Sequence, residues 1–233
     1  MRQFFLFILA SVLLTPLTCF SQQEEITQFA IVTGYSYLHT PSLNLAQRGF
    51  NGDIAINYRP WMSLGFDFST FAGGSTLLPS YLNSETQQKL GTALRGLPPS
   101  MAASAAVVPY TSSTYTYQMG PQFNYRRFKH LTLFIRPALG LLHAKIQTTA
   151  TNPRTIGLVK TLLNGKLSSA DNTVFYGFGG GGTWEINPHF GLRVTADLAR
   201  FNFFPDTLNG SRNGLRLTVA TKFGFGKNIV GTK

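Results

Sequence analysis

Eight ionisable residues recur inside segments of the chain where large apolar residues alternate with small or polar ones. Successive side chains of a β-strand point to opposite faces, and each of these residues shares the face opposite to the large apolar side chains. Four acids and four bases would then occupy one face, where isolated charges are costly and salt bridges are expected. The residues of this predicted charge network are Asp53, Asp67, Arg136, Glu185, Arg193, Asp197, Arg216 and Lys222.

The four histidines are the other side chains that could do chemistry, as a base beside a serine nucleophile in acyl transfer. His143 alone is predicted near a loop on the apolar face, and the residue two positions on is Lys145 rather than a serine. His130 and His189 fall in short predicted turns, and His39 stands in a loop. We therefore expect no catalytic residue, no metal site and no cofactor, and a protein that is not an enzyme.

A glycine-rich segment from Gly177 to Gly182 contains the spacing G-x-G-x-x-G. In a dinucleotide-binding protein those glycines open a helix, but here the residues that follow, Thr183 to Ile186, continue a strand pattern. The segment is better interpreted as a strand kept small so that bulky residues of neighbouring strands can pack against it.

Alternation of this kind defines eight predicted strands, of which the last, from Leu215 to Phe225, is the most regular. Tight turns are predicted near residues 60, 128 and 188, and longer loops near residues 43, 92, 158 and 207. Residues 72–112 and 145–172 show no sustained alternation and are predicted as long loops. An even strand count with alternating long and short connections is typical of an antiparallel up-and-down barrel.

The first 21 residues have the form of an export signal, with Arg2 ahead of the apolar run from Phe4 to Leu14 and small residues up to Ser21. The run is shorter than the roughly 20 residues that a helix needs to span a bilayer. Cys19 would instead be the lipidated first residue of a lipoprotein, although no small residue directly precedes it. Cleavage after Ser21 leaves a mature chain without cysteine, which excludes disulfides.

The composition differs from that of an ordinary soluble domain. Charged residues make up 12% of the chain and aromatic residues 13%, against about 25% charged residues in typical soluble domains. The formal net charge of +11 could suggest nucleic acid. Export and the scattering of the basic residues among turns, loops and strands favour an anionic lipid surface instead.

Taken together, the mature chain resembles a small bacterial outer-membrane β-barrel of the OmpA transmembrane-domain type, in architecture rather than in any one segment. The resemblance implies an all-β fold, an eight-stranded antiparallel up-and-down transmembrane β-barrel over residues 22–226, followed by a short tail, 227–233. It also implies the outer membrane of a Gram-negative bacterium. Charges would avoid the lipid face, where a basic residue costs about 2 to 4 kcal/mol. The alternative is a soluble β-sandwich whose aromatic residues form the core.

An eight-stranded barrel has an interior just wide enough for side chains, so the inward Phe134, Phe175 and charged residues predict a plugged lumen. The leading hypothesis for function is a non-enzymatic scaffold whose long loops meet the surroundings, in a structural or surface-interaction role. A narrow solute channel is the second hypothesis, and a lipid A-modifying enzyme the third. Expected partners are outer-membrane lipid and lipopolysaccharide, and the barrel-assembly machinery through the strand that ends at Phe225. We expect no nucleic acid, and a monomer.

Two local features complete the prediction. Asn152 can cap a short helix that begins at Pro153 and stops at Gly165, with Ile156 and Val159 on an apolar face that could rest on lipopolysaccharide. A disordered loop is the alternative for this segment. Aromatic residues near strand ends are predicted as interfacial girdles: Tyr58, Trp61, Tyr125, Phe128, Trp184, Phe190 and Phe225 on the turn side, and Tyr37, Phe68, Tyr115 and Phe201 on the loop side.

Overall fold

The computed structural model describes residues 25–95, 97–163 and 165–230; the predicted export signal lies outside them. Eight antiparallel strands form a closed barrel in which each strand pairs with its neighbours in sequence. The fold predicted from the alternation is confirmed. The strands are β1 (Thr27–Thr40), β2 (Leu45–Arg59), β3 (Met62–Leu77), β4 (Val108–Tyr125), β5 (Leu131–Thr148), β6 (Ser168–Asn187), β7 (Phe190–Phe201) and β8 (Arg212–Asn228).

The barrel is closed by a seam between its first and last strands. Ile31 on β1 lies opposite Phe223 on β8, and the backbone amide of Ile26 donates to Oδ1 of Asn228, 202 residues later, at 3.0 Å. Since β1 also pairs with β2, neither strand is left with a free edge. β8 runs past residue 226 to Asn228, so strand structure continues into the predicted tail.

The outer face of the barrel carries the large apolar side chains. Leu198 and Val219 are each 62% exposed and Phe50 is 68% exposed, while the residues that alternate with them along their strands are mostly buried. A soluble sandwich buries such side chains in its core, so the sandwich alternative is wrong. A closed barrel with an apolar outer band is suited to hydrocarbon.

One of the predicted girdle residues faces the other way. Phe201 is 3% exposed, and its ring stacks on that of Phe203 with centroids 5.2 Å apart. It shares the parity of Asp197, which also faces inward. The girdle prediction is therefore wrong for Phe201, because a single step along a strand exchanges the two faces.

The two ends of the barrel differ. At one, the turn end, strands are joined by a few residues; at the other, the loop end, connections are longer. The loops predicted over 72–112 and 145–172 are shorter in the structure. Residues 72–77, 108–112, 145–148 and 168–172 belong to the paired strands β3 to β6. These strand ends carry many serines, threonines and glycines, so the apolar alternation that revealed the other strands is weak there.

In the described part of the loop-end connections lie three α-helices, α1 (Ser84–Leu94), α2 (Pro99–Ala105) and α3 (Pro153–Leu162). Two short 3-10 helices, Pro41–Leu43 and Pro79–Tyr81, lie there as well. The predicted helix near residue 153 is confirmed: Asn152 accepts a hydrogen bond from the amide of Arg154 at 2.9 Å. Gly165 follows the helix with a φ of +85°, a conformation that favours glycine. In the described residues, none of the helices has the length and apolar character needed to cross a membrane.

The loop-end connections are held together by an apolar cluster. Leu82 and Leu208 form an isolated antiparallel bridge. Beside it, the amide of Asn83 donates to the carbonyl of Thr207 and the amide of Asn209 to that of Tyr81, each at 3.0 Å. We call the buried group the outer apolar cluster; its members include Leu43, Leu45, Leu82, Leu90, Tyr110, Leu158, Phe203, Phe204 and Leu208.

Candidate functional site

The middle of the lumen is filled by a network of charged side chains from five strands. Arg136 donates from Nη1 to Asp53 at 2.9 Å, and from Nε and Nη2 to the two carboxylate oxygens of Asp197 at 3.0 Å each. Arg216 donates to Asp67 at 2.7 Å and to Asp197 at 2.9 Å. Each of these five residues is at most 7% exposed. Three carboxylates and two guanidiniums therefore share one buried network, in which bidentate geometry fixes the side chains.

A second charged group lies nearer the turn end. Lys222 donates to both oxygens of Glu185 at 2.9 and 2.8 Å. Arg126, Nη1 of which lies 3.9 Å from Glu185, is a third member. It also donates from Nε to the carbonyl of Pro60 at 2.9 Å. Arg126 lies in the basic run Arg126–His130 at the tight turn predicted near residue 128, and the predicted charge network does not include it.

Burial lowers the pKa of Arg126 to about 10, with the nearby Glu185 carboxylate acting in the opposite direction. The guanidinium is therefore still protonated at neutral pH. One carboxylate at the turn end then faces two cations.

Arg193 lies beside both groups. Its Nε donates to Thr183 Oγ1 at 3.0 Å, and its Nη1 is 3.8 Å from Asp53 Oδ2. The guanidinium carbon lies 4.6 Å from the centroid of Phe134, a cation–π contact. All eight residues of the predicted charge network are thus buried inside the barrel.

Aromatic side chains cover the charged network towards the loop end. Phe71, Phe175 and Phe201 are 2 to 4% exposed and point into the lumen. A small cavity lies between these rings and the Asp197–Arg216 pair. The centres of water molecules can occupy about 20 Å³ of it. Only one or two water molecules fit in such a space.

The glycine-rich segment belongs to β6, as the strand interpretation predicted. Gly179 lies opposite Asp197 across the β6–β7 ladder, and a methyl group built on Gly179 would overlap the Asp197 carboxylate. At Gly181 it would overlap the backbone of Val194. The missing side chains leave room for the aspartate and for close approach of β7.

The geometry around the histidines differs from that of an acyl-transfer site. Nδ1 of His143 is 2.7 Å from Oδ1 of Asn172, so its hydrogen bond goes to an amide. Its ring lies against Tyr115, with centroids 6.1 Å apart. In the described ranges, histidines and acids form no group of three that could hold a metal ion.

Helix α3 packs differently from the sequence-based hypothesis. Its buried residues are Thr155, Leu158 and Val159. Leu158 belongs to the outer apolar cluster, and Val159 lines a cavity there together with Leu43 and Leu82. Arg154 and Lys160 are exposed. The apolar face of the helix thus contacts the protein, while its basic side chains remain accessible.

Solved structures supply the comparison with known proteins. The neisserial surface protein NspA matches with a TM-score of 0.52 and 10% identity, over 85% of this chain and 98% of its own. Ail of Yersinia pestis matches with a TM-score of 0.48 and 14% identity, over 86% and 99%. OprG of Pseudomonas aeruginosa gives 0.46 and 9%, over 88% and 99%. The NspA match supports the fold, a closed barrel of eight antiparallel strands.

No family model matches the chain, and no curated protein does either. The resemblance to the OmpA type therefore remains one of architecture.

Proposed function

We propose that this chain is a non-enzymatic barrel of the Gram-negative outer membrane, with a lumen closed by side chains and a role at the cell surface carried by its loop end. The observation that carries the proposal is the apolar outer band of a closed barrel, in which residues such as Leu198 and Val219 are each 62% exposed. Exposure of this apolar band to water is unfavourable, whereas the hydrocarbon of a membrane solvates it.

The lumen side chains support a scaffold rather than a channel. Opening a path would require the Arg136–Asp197 and Arg216–Asp67 contacts to separate, and each joins buried charges that have lost their water. The ring layer of Phe71, Phe175 and Phe201 lies above them. An eight-stranded barrel has an interior only wide enough for its own side chains.

Exposed basic residues support contact with lipopolysaccharide. Arg48, Lys145 and Arg200 lie near the loop-end termini of β2, β5 and β7 and are exposed on the outer face. With Arg154 and Lys160 of α3, they place positive charge where lipid headgroup phosphates would lie. The proposed orientation puts the loop end outside the cell and the turn end in the periplasm, since outer-membrane barrels carry their long loops outside.

The last strand supports recognition by the barrel-assembly machinery. Phe225 is 45% exposed on the outer face near the turn end and stacks on Phe29 of β1 with ring centroids 5.6 Å apart.

The proposed protein is a monomer. Light scattering of the purified protein would test this.

The first experiment is gel mobility of the protein extracted from fractionated cells, with and without boiling. We expect it in the outer-membrane fraction, with a mobility that changes on boiling because the closed barrel resists detergent. Recovery from the soluble periplasm, with the same mobility in both samples, would contradict the proposal.

Conductance across planar bilayers tests the closed lumen separately. We expect reconstituted protein to give no stepwise current, because charges and rings fill the lumen. Reproducible single-channel steps from protein that has passed the mobility test would favour the narrow solute channel and leave the membrane location intact.

A further inference from the structure

A cavity lies at the loop end, inside the outer apolar cluster. Its lining is almost entirely apolar and includes Leu43, Leu45, Leu82, Val159, Phe204 and Leu167. Leu167 is also 37% exposed, so the lining reaches the protein surface beside the start of β6.

The size of the cavity restricts what it can hold. The centres of water molecules can occupy about 60 Å³ of it. This volume corresponds to roughly four to six waters. Water gains little from apolar walls, whereas each buried methylene group is stabilised by about 0.8 kcal/mol. An alkyl chain of about five carbons therefore suits the space.

A buried cation, Arg212, contacts the sequence neighbours of two residues that line the cavity. Arg212 is 4% exposed; it donates to Ser42 Oγ at 3.3 Å and to the carbonyl of Tyr81 at 3.4 Å. Ser42 and Tyr81 directly precede Leu43 and Leu82, which line the cavity. Among the described residues, Nε of Arg212 has no hydrogen-bond partner, and none of their carboxylates lies within 4.0 Å of its guanidinium.

The lack of a carboxylate among the described residues distinguishes Arg212 from the other buried arginines. Arg136 and Arg216 each contact two or more carboxylates. A buried guanidinium without an anion is unfavourable, and a carboxylate is its best-matched partner because two parallel hydrogen bonds can form.

We propose that the loop end binds a short-chain amphipathic carboxylate, with the alkyl chain in the apolar cavity and the carboxylate on Arg212. This goes beyond the surface role, since it assigns a ligand class to a site inside the loops. The two halves of the ligand match two separate observations, the volume and lining of the cavity and the missing counter-ion of Arg212.

The experiment uses the full barrel in lipid nanodiscs with isotope-labelled leucine and valine methyl groups, observed by NMR at neutral pH. Hexanoate and 1-hexanol are added to separate samples at equal free concentrations. The two have the same number of carbons, but hexanol carries no charge. Methyl groups of Leu43 and Val159 report on the cavity. Those of Leu198, exposed on the outer band, report on ligand dissolved in the lipid.

We expect saturable shifts at Leu43 and Val159 with hexanoate, and linear shifts at Leu198. Hexanoate should bind at least about tenfold more tightly than hexanol, as expected for a charge-assisted pair. Arg212→Gln should abolish this preference. Arg95→Gln, which removes an exposed cation of another loop-end connection, should preserve it.

Shifts that are only linear at all three residues would overturn the proposal, and so would equal affinities of hexanoate and hexanol for the wild type. Equal loss of preference in both variants would also overturn it, by indicating general attraction to a basic surface. The comparison of the two ligands on the wild type stands even if Arg212→Gln fails the gel-mobility test for folding. None of these NMR results bears on the proposed membrane location, because cell fractionation tests that location independently.

Discussion

Arg216 on β8 and Asp67 on β3 meet inside the barrel at 2.7 Å, although 149 residues separate them in the chain. The two strands are not neighbours in the barrel, so this ion pair crosses the lumen. It ties together parts of the wall that share no backbone hydrogen bonds. The charged network thus acts as internal bracing as well as filling.

Removing Arg216 should destabilise the barrel. Arg216→Gln leaves Asp67 with the more distant Arg136 contact at 3.4 Å, so we expect a loss of about 3 kcal/mol, the lower end for breaking a buried pair. Urea unfolding in lipid vesicles would measure it. Lys89→Gln is the control, because the Lys89–Glu85 pair is exposed on α1 and its loss should change little. Equal effects of the two variants would refute the bracing.

Glu185 and Lys222, which pair at the turn end, should contribute unequally to the stability of the barrel. Lys222→Met leaves Glu185 with Arg126 at 3.9 Å, whereas Glu185→Gln removes the carboxylate that both cations share. We therefore expect Glu185→Gln to lower the unfolding free energy more, by at least about 1 kcal/mol. Unfolding of the two single variants and the double variant gives their coupling energy. A larger loss for Lys222→Met would show that Arg126 does not compensate.

Glycine-to-alanine substitutions should affect stability differently at two positions. Gly179→Ala pushes a methyl group into the Asp197 carboxylate and should cost about 1 to 3 kcal/mol, as overpacking does. Gly52→Ala meets no heavy atom within 4 Å and should be neutral or slightly stabilising. The midpoint of urea unfolding distinguishes the two. The prediction fails if Gly179→Ala is as stable as the wild type.

The cap of α3 can be tested by proteolysis. Asn152→Ala removes the hydrogen bond to the Arg154 amide, 2.9 Å long, and should cost about 1 kcal/mol locally, or roughly a fivefold faster trypsin cleavage at Arg154 and Lys160. Asn209→Ala, an exposed asparagine of another loop-end connection, is the control. Rapid cleavage of the wild type in intact cells would instead favour the disordered loop.

Alternation along the chain was enough to predict eight strands and the face on which each of the eight charges lies. Which charges meet was not predictable, because contacts across the lumen depend on the stagger of all eight strands. Arg126 could have been found from parity, since it continues the inward series of Gln122 and Asn124 beyond the end of β4. Its position in a basic run suggested a turn instead.

The loop end was the least predictable part. The outer apolar cluster joins residues such as Leu43, Leu82 and Phe204 from separate connections, and no periodicity links them. Likewise, the sequence gives no sign that Arg212 lacks an acidic partner, because that depends on the folded positions of all the acids. Strand patterns reveal the wall of a barrel better than what covers its mouth.

The hydrogen bond from Ile26 to Asn228 has a consequence for the order of assembly. Both sides of the seam come from opposite ends of the described barrel, so a nascent chain that lacks β8 carries two unsatisfied strand edges. Such edges invite pairing with other chains. Ring closure must therefore await synthesis of the last strand, and incomplete chains should be kept unfolded or degraded rather than inserted as shorter barrels.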